Sequence, residues 1–284
     1  MHLPTSATPV DYLVLGHLAR DLTPDGPRLG GTVAYAALTA RALGLRPAIV
    51  TAIGTDMDLS PLDGLPLLAE SSPASTTFDN RYDGGNRTQV LVARASRLSF
   101  DRIPEVWATS PIVHLGPIAD EIPPALATAF VSAGLLGVTA QGWLRTWSAD
   151  GRVMPRSWEA SVEGLSAAGA VVVSLEDLGR DELAVEGLAG ICRLLVVTDG
   201  PRGARVHWNG DVRRIPAPPA VVVDPTGAGD IFAAAFFIRL RATRDPWEAA
   251  RFAHVLAAAS VERRGLAGVP TAEDVLRADL QVVR

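Results

Sequence analysis

Lysine is absent from this chain of 284 residues, so all 26 Lys+Arg positions are arginine. A phosphate-binding loop built on a lysine ammonium is thereby excluded, and any anion must be met by arginine, backbone N–H groups or a metal ion. Cysteine occurs once, at Cys192, which rules out an intramolecular disulfide and a thiolate metal cluster. Aromatic residues are sparse at 6%, and the five histidines fall without metal-ligand spacing. No Gly-x-Ser-x-Gly elbow is present, so hydrolase and zinc-enzyme readings have no support. A formal net charge of −5 argues against a nucleic-acid partner, because affinity for a phosphate backbone needs clustered cations. No window has the length and apolarity of a membrane span, and no charged segment followed by an apolar run opens the chain; the expectation is a cytoplasmic protein.

What is present is an alternation of short aliphatic runs with Ala/Leu-rich stretches, the pattern of a mostly parallel sheet covered on both faces. Strands are expected at Tyr12–Gly16, Ala48–Ile53, Ile112–Leu115, Leu136–Thr139, Ala170–Ser174 and Leu194–Thr198. Helices are expected at Thr32–Leu43, Pro123–Ala133, Arg156–Ala168 and Asp181–Leu188, with Ala228–Arg241, Pro246–Arg263 and Thr271–Ala278 in the last third. Asn209-Gly210 is a hairpin turn between Ala204–Trp208 and Val212–Ile215. Thr76–Arg81 and Arg87–Ala93 alternate polar and apolar residues and read as a second hairpin, either a lid or an edge ribbon. The link Leu22–Leu29 has room for one turn, so a reduced lid at about residues 75–94 of a single domain is expected.

The most informative string is Asp224-Pro225-Thr226-Gly227-Ala228-Gly229-Asp230, which leads from a valine run into an apolar helix. Glycines at a helix start let backbone N–H groups converge on an anion, and the helix dipole adds to the attraction. Asp230 is a carboxylate placed where negative oxygens are to be held. That placement suits a base which takes a proton from a hydroxyl while the cradle offsets charge on a transferred phosphoryl group.

The Asp-x-Thr-Gly-Ala-Gly-Asp string resembles the second signature of the ribokinase (PfkB) family of carbohydrate kinases. The resemblance implies a three-layer α/β/α fold with a mostly parallel central sheet and a small β lid. It also implies transfer of the γ-phosphoryl group of ATP, with Mg²⁺ and room for a monovalent cation, to a small-molecule alcohol. The protein is expected to act as a monomer or homodimer. Under it, Asp230 is the catalytic base and Gly227, Ala228 and Gly229 with Asp230 form the anion hole, with Thr226 beside the donor.

Further blocks follow in the family's order. Gly30-Gly31 opens a helix, and Tyr35 stands where relatives carry a substrate-binding Asn, a departure that leaves the acceptor open. Asp21 fits the acid that holds sugar hydroxyls; it is otherwise a solvated loop acid. Ser174-Leu175-Glu176-Asp177 resembles the family's Asn-x-x-Glu, which implies Ser174 at the nucleotide and Asp177, helped by Glu176, at the metal; helix capping is the other reading. Thr198, Gly200 and Gly203 match the nucleotide-side turn. His254 stands beside the adenine position or is a packed helix histidine, and Arg145 is either a phosphoryl clamp or a surface arginine. The acceptor is expected to be a sugar or cyclitol, with an inositol-like lean from Thr76–Arg81 and Gln141–Arg145. The alternatives are a nucleoside, with Tyr35 or Phe78 as a stacking face, and a catalytically silent binding protein on the same fold.

Overall fold

The computed structural model describes residues 7–83 and 86–282. Its strands, in chain order, are β1 Tyr12–Leu15, β2 Ala19–Thr23, β3 Gly26–Gly30, β4 Pro47–Ile53, β5 Leu67–Ser71, β6 Thr76–Asp83, β7 Asn86–Ala93, β8 Ile112–Leu115, β9 Leu136–Thr139, β10 Arg145–Trp147, β11 Val153–Pro155, β12 Ala170–Ser174, β13 Leu194–Thr198, β14 Ala204–Trp208 and β15 Asp211–Ile215. The helices are α1 Thr32–Ala42, α2 Glu105–Ala108, α3 Val162–Ala167, α4 Glu182–Ile191, α5 Ala228–Thr243, α6 Pro246–Ser260 and α7 Ala272–Val282. Residues 84–85, the tip expected to turn the second hairpin, lie outside the described residues. Among the described residues no helix is long and apolar enough to cross a membrane.

Nine strands form the central sheet in the order β15-β14-β13-β12-β9-β8-β1-β4-β5, parallel except for the β13-β14-β15 meander. Parallel strands must be covered on both faces, and their side chains divide accordingly. Tyr12 and Val14 enter the cluster under α1, α5 and α6, whereas Leu13 and Leu15 enter the cluster under α3 and α4. Helix α5 is the centrepiece of the first cluster: Ile231 through Phe237 are all buried, which explains an Ala/Phe run with no polar face. Ala233, Ala234 and Ala235 let α1 and α6 approach closely while Phe232, Phe236 and Phe237 fill the gaps.

A second sheet, β3-β2-β6-β7, stands apart from the first. Its β2–β6 pairing is parallel and the other two are antiparallel. The lid-like sheet is therefore twice the expected width, because residues 19–30 form a hairpin and not a single turn. Thr23-Pro24-Asp25-Gly26 is the turn chemistry that closes it, and the Thr23 hydroxyl donates to the Gly26 carbonyl at 2.7 Å. The flanking Ala-Arg-Asp-Leu-Thr and Gly-Pro-Arg-Leu-Gly have little intrinsic strand preference, so pairing with β6 supplies what propensity does not. Two expected helices also change form: Pro124–Phe130 is a 3₁₀ helix, and Trp158–Ser161 is a 3₁₀ turn leading into the short α3. The β10–β11 ribbon and edge strand β5 are additions to the sequence reading.

Candidate active site

The carboxyl ends of β1, β8, β9, β12 and β13 share one edge of the sheet, where an open parallel sheet receives its ligand. Ser174 and Thr198 are register partners at that edge. Facing them, α5 begins at Gly227, whose φ of 80° lies in the left-handed region that glycine tolerates. A Cβ on Gly227 would overlap the Tyr35 ring, so this position is closed to a side chain from below. Gly229 differs: a Cβ there meets nothing within 4 Å. The helix starts without a side-chain cap, and its first amide, Ala228, donates to the Pro225 carbonyl at a long 3.3 Å that an outside acceptor would share. Asp224 braces the turn before it, with one oxygen accepting from the Thr226 amide at 2.9 Å and the other from the Gly265 amide at 2.9 Å. Its pKa lies below the ordinary carboxylate value: burial acts upward and is outweighed by those hydrogen bonds.

Asp230 projects from the first turn of α5, and the Thr32 hydroxyl donates to its Oδ1 at 2.6 Å. Thr32 is the first residue of α1, so the two halves of the chain meet at this bond. Gly116 lies beneath, where a Cβ would press on the Thr32 methyl at 2.7 Å. Below that, a buried chain runs from the Tyr12 hydroxyl to His114 Nδ1 at 2.7 Å and from His114 Nε2 to Thr139 Oγ1 at 2.9 Å. Burial holds the His114 pKa at about 3, so the imidazole is neutral at ordinary pH. Thr32, Tyr12 and His114 escaped the sequence reading because each sits in an apolar string with no motif of its own.

The other wall is made of side chains. Gly30 has no side chain because the Asp21 carboxylate lies over its Cα, and a Cβ there would overlap Asp21 Oδ2. Gly31, at φ 85°, lies against the Ala19 amide and the His17 carbonyl and caps α1. From Asp21 a polar line crosses the small sheet: Asn80 Nδ2 to Asp21 Oδ1 at 3.5 Å, and Gln89 Nε2 to Asn80 Oδ1 at 2.9 Å. Arg145 then donates to Gln89 Oε1 at 2.8 Å. Asn80 and Gln89 are additions to the expected residues; their only sequence signal is polar placement on the alternating β6 and β7.

Several expected roles are altered. Arg145 is no free clamp, since its Nη2 and Nε donate to Asp177 Oδ1 at 2.7 and 3.0 Å, and the two side chains are only 12% and 7% exposed. The pairing occupies Oδ1 of Asp177, and Glu176 is the exposed carboxylate of that turn. Among the described residues no group of three or more His, Cys, Asp or Glu side chains could hold a metal ion. The residues present therefore do not fit a preformed metal site. Ser174 Oγ accepts from the Glu176 amide at 3.1 Å and shapes the turn. Gly200 and Gly203 both have positive φ, with Gly203 pressed against the Ile215 carbonyl and Gly200 open to solvent. His254 is buried against Phe232, ring centroids 4.7 Å apart, and burial lowers its pKa to about 4. It faces the α5–α6 interface. Tyr35 is 2% exposed, and its hydroxyl pKa is pushed well up by burial first and then by the Asp21, Asp230 and Asp224 charges.

Comparison with known proteins gives this geometry a family. Residues 171–272, which include the Asp224–Asp230 turn, match the pfkB family carbohydrate kinase description. A cytidine kinase of Thermococcus kodakarensis is 27% identical over 250 residues, covering 80% of this chain and 87% of that protein. An inositol 3-kinase of Oryza sativa subsp. japonica is 42% identical over 77 residues, 27% of this chain and 19% of that protein. Among solved structures, a pyrophosphate-dependent kinase in the ribokinase family, complexed with a pyrophosphate analog and myo-inositol, superimposes with a TM-score of 0.78 at 20% identity. That superposition covers 94% of this chain and 99% of that one, and at this identity it speaks to the fold alone. The chain has the ribokinase fold and, over residues 171–272, matches the pfkB family of carbohydrate kinases, phosphotransferases with an alcohol group as acceptor.

Proposed function

We propose that the protein transfers the terminal phosphoryl group of ATP to a hydroxyl of a cyclitol or sugar. The observation that carries the reading is the meeting of Asp230 with the uncapped start of α5, opposite a wall of hydrogen-bonding side chains. The Thr32 hydroxyl donates to Oδ1 of Asp230 and so fixes the carboxylate at the start of α5. Asp230 takes the hydroxyl proton as the oxygen attacks the γ-phosphorus; an O–P bond forms, the bond to the β-phosphate oxygen breaks, and ADP leaves. The N–H groups of Gly227, Ala228 and Gly229 take up the charge on the transferred group. Arg145 adds no uncompensated cation to them, because it is neutralised by Asp177.

Donor identity is supported by Val221, Val222 and Val223, exposed apolar side chains directly before Asp224, a surface suited to a purine base. Thr226, Ser174, Thr198, Gly200 and Gly203 line the path of the phosphates. A divalent ion arriving with the donor would offset the phosphate charge, with Glu176 the nearest exposed carboxylate in the family's metal turn.

For the acceptor, Asp21, Asn80 and Gln89 offer a polyol several hydrogen-bond partners. The similarity to an inositol 3-kinase supports a cyclitol. Tyr35 and Phe78, the two rings available to stack a nucleobase, are 2% and 4% exposed, which disfavours a nucleoside. The test is product formation with ATP or pyrophosphate as donor, across myo-inositol, ribose, fructose and cytidine. ADP formation that depends on myo-inositol or a sugar supports the reading. Preference for cytidine makes it a nucleoside kinase, pyrophosphate as the better donor overturns the ATP assignment, and no turnover with any pair makes the protein a silent binder.

A further inference from the structure

A cleft of about 650 Å³ opens at the opposite edge of the central sheet, a strand's length from Ser174 and Thr198. It lies where β9, β12 and β13 begin, and Leu135, Gly169 and Leu194 form its floor. Three arginines on two separate elements surround it: Arg193 after α4, and Arg241 and Arg244 at the end of α5. All three are exposed, and no ion pair joins any of them to a carboxylate among the described residues. Most acids of the surrounding elements are engaged elsewhere; Glu186 of α4 is exposed. Asp211 pairs with Arg213, Glu248 with Arg239 and Glu182 with Arg205, and Asp245 accepts from the Trp247 and Glu248 amides at the start of α6.

Basic groups at helix carboxyl ends complement the helix dipole, which accounts for each arginine singly. It does not account for the shape of the cleft. The Arg241 guanidinium lies against Gly134, where a Cβ would stand 2.9 Å from Nε. The same Cβ would stand 2.6 Å from the Pro111 carbonyl oxygen, so the glycine clears both the backbone and the cation. Arg244 caps α5 with φ 58°, in the left-handed region where glycine is the usual occupant, so a long cationic side chain is kept there at a backbone cost. Trp208, half-buried and edge-on to Trp247, supplies an aromatic wall.

Three guanidinium groups without counter-charges, set around one cavity of ligand size beside an indole, match an anion that also carries a flat or apolar part. We propose that this cleft is a second ligand site, for a phosphate-bearing small molecule of nucleotide size, separate from the catalytic edge. Its arginines grip the carboxyl end of α5, whose other end carries Asp230 roughly 15–20 Å away along the helix axis.

The test is isothermal titration with ADP and, in a separate arm, inorganic phosphate, counting sites on the whole chain. The expected result is one site that survives Gly229→Val and is lost in the combined Arg193→Gln, Arg241→Gln and Arg244→Gln variant. Arg193→Glu alone, an exposed change off α5, weakens that site at least about tenfold. Turnover without added effector stays within twofold in Arg193→Glu. Phosphate binding as tightly as ADP would assign the site to the anion alone and overturn the part given to Trp208. An unchanged site count and affinity in both arginine variants, with folding confirmed by circular dichroism, overturns the proposal, and it does so whatever becomes of the catalytic reading.

Discussion

The two walls of the candidate site are built from different materials. One is backbone: Gly227 at positive φ, Gly229 with open space above it, and a helix start lacking a side-chain cap. The other is a line of side chains drawn from β2, β6, β7, β10 and the turn after β12, ending in the Arg145–Asp177 pair. A backbone cradle must be written as contiguous residues, because each φ depends on the residue that bears it. A side-chain wall needs only that five distant positions converge, so its string is spread over more than 150 residues and has no local signature.

The comparison is tested hardest at Asp230, where the walls meet. Asp230→Asn is expected to lower kcat by about 10²–10⁴ while leaving donor affinity nearly intact. Stopped-time assays beside donor titration check it, and turnover within a few-fold of the parent would remove Asp230 as the base. Next is Gly229→Val. Nothing in the fold contests its Cβ, so the variant should melt where the parent melts, yet lose about 10²–10³ in kcat because the side chain enters the space of the phosphoryl group. Normal turnover in that folded variant would dissolve the backbone wall.

The side-chain wall should yield smaller losses. Asp21→Ala is expected to cost about 2–4 kcal/mol in kcat/KM, through lost orientation of the acceptor, with donor binding unchanged. Steady-state kinetics at saturating donor measure it, and a normal kcat/KM would place the acceptor elsewhere. Tyr35 sharpens the contrast, because its ring packs beneath Gly227 and so belongs to the support of the cradle. Tyr35→Asn should lower stability by about 2–4 kcal/mol by leaving a cavity, whereas Tyr35→Phe should stay within about 1 kcal/mol of the parent. Denaturant unfolding of the pair decides it; equal losses would mean that the hydroxyl, not the ring, bears the load.

Legibility followed the same division. The buried parallel strands stand within a residue of their expected bounds, since a run such as Val171–Val173 between two helices has one inexpensive home. The Asn209-Gly210 turn has positive φ at both residues, as its sequence requires. The Leu22–Leu29 link reads as too short for more than one turn, yet β2 and β3, despite Gly26, Pro27 and Gly30, take strand form from the β6 edge. Pro123–Pro124 begins a helix that was read as α and is 3₁₀. At the site, the glycine-acid turn was plain, while Asn80, Gln89 and Thr32 needed coordinates. Asp177 and Arg145 were seen singly, but sequence spacing of 32 residues carries no hint that each consumes the other's charge.

His254 gives the smallest effect and separates the cradle from the core behind it. Its position in α6 suggests contact with the donor, but its ring packs tilted against Phe232 and its Nε2 is buried without a partner. Burial holds His254 and His114 at about 4 and about 3, below the ordinary value of 6.5, so the folded protein keeps both neutral where the unfolded chain protonates. The stability this represents is fully present above pH 6.5. It is lost as pH falls from there toward the folded values, by up to about 1.4 kcal/mol per pH unit for each histidine. Carboxylates such as Asp274 and Asp224, held below their usual range, add their own losses only at lower pH. His254→Phe should therefore flatten the stability slope between pH 6.5 and 4.5 by roughly one proton's worth, while kcat and donor KM at pH 8 stay within twofold. Urea midpoints across that pH range, paired with kinetics at pH 8, measure both. A donor KM raised tenfold with an unchanged slope would return His254 to the nucleotide wall.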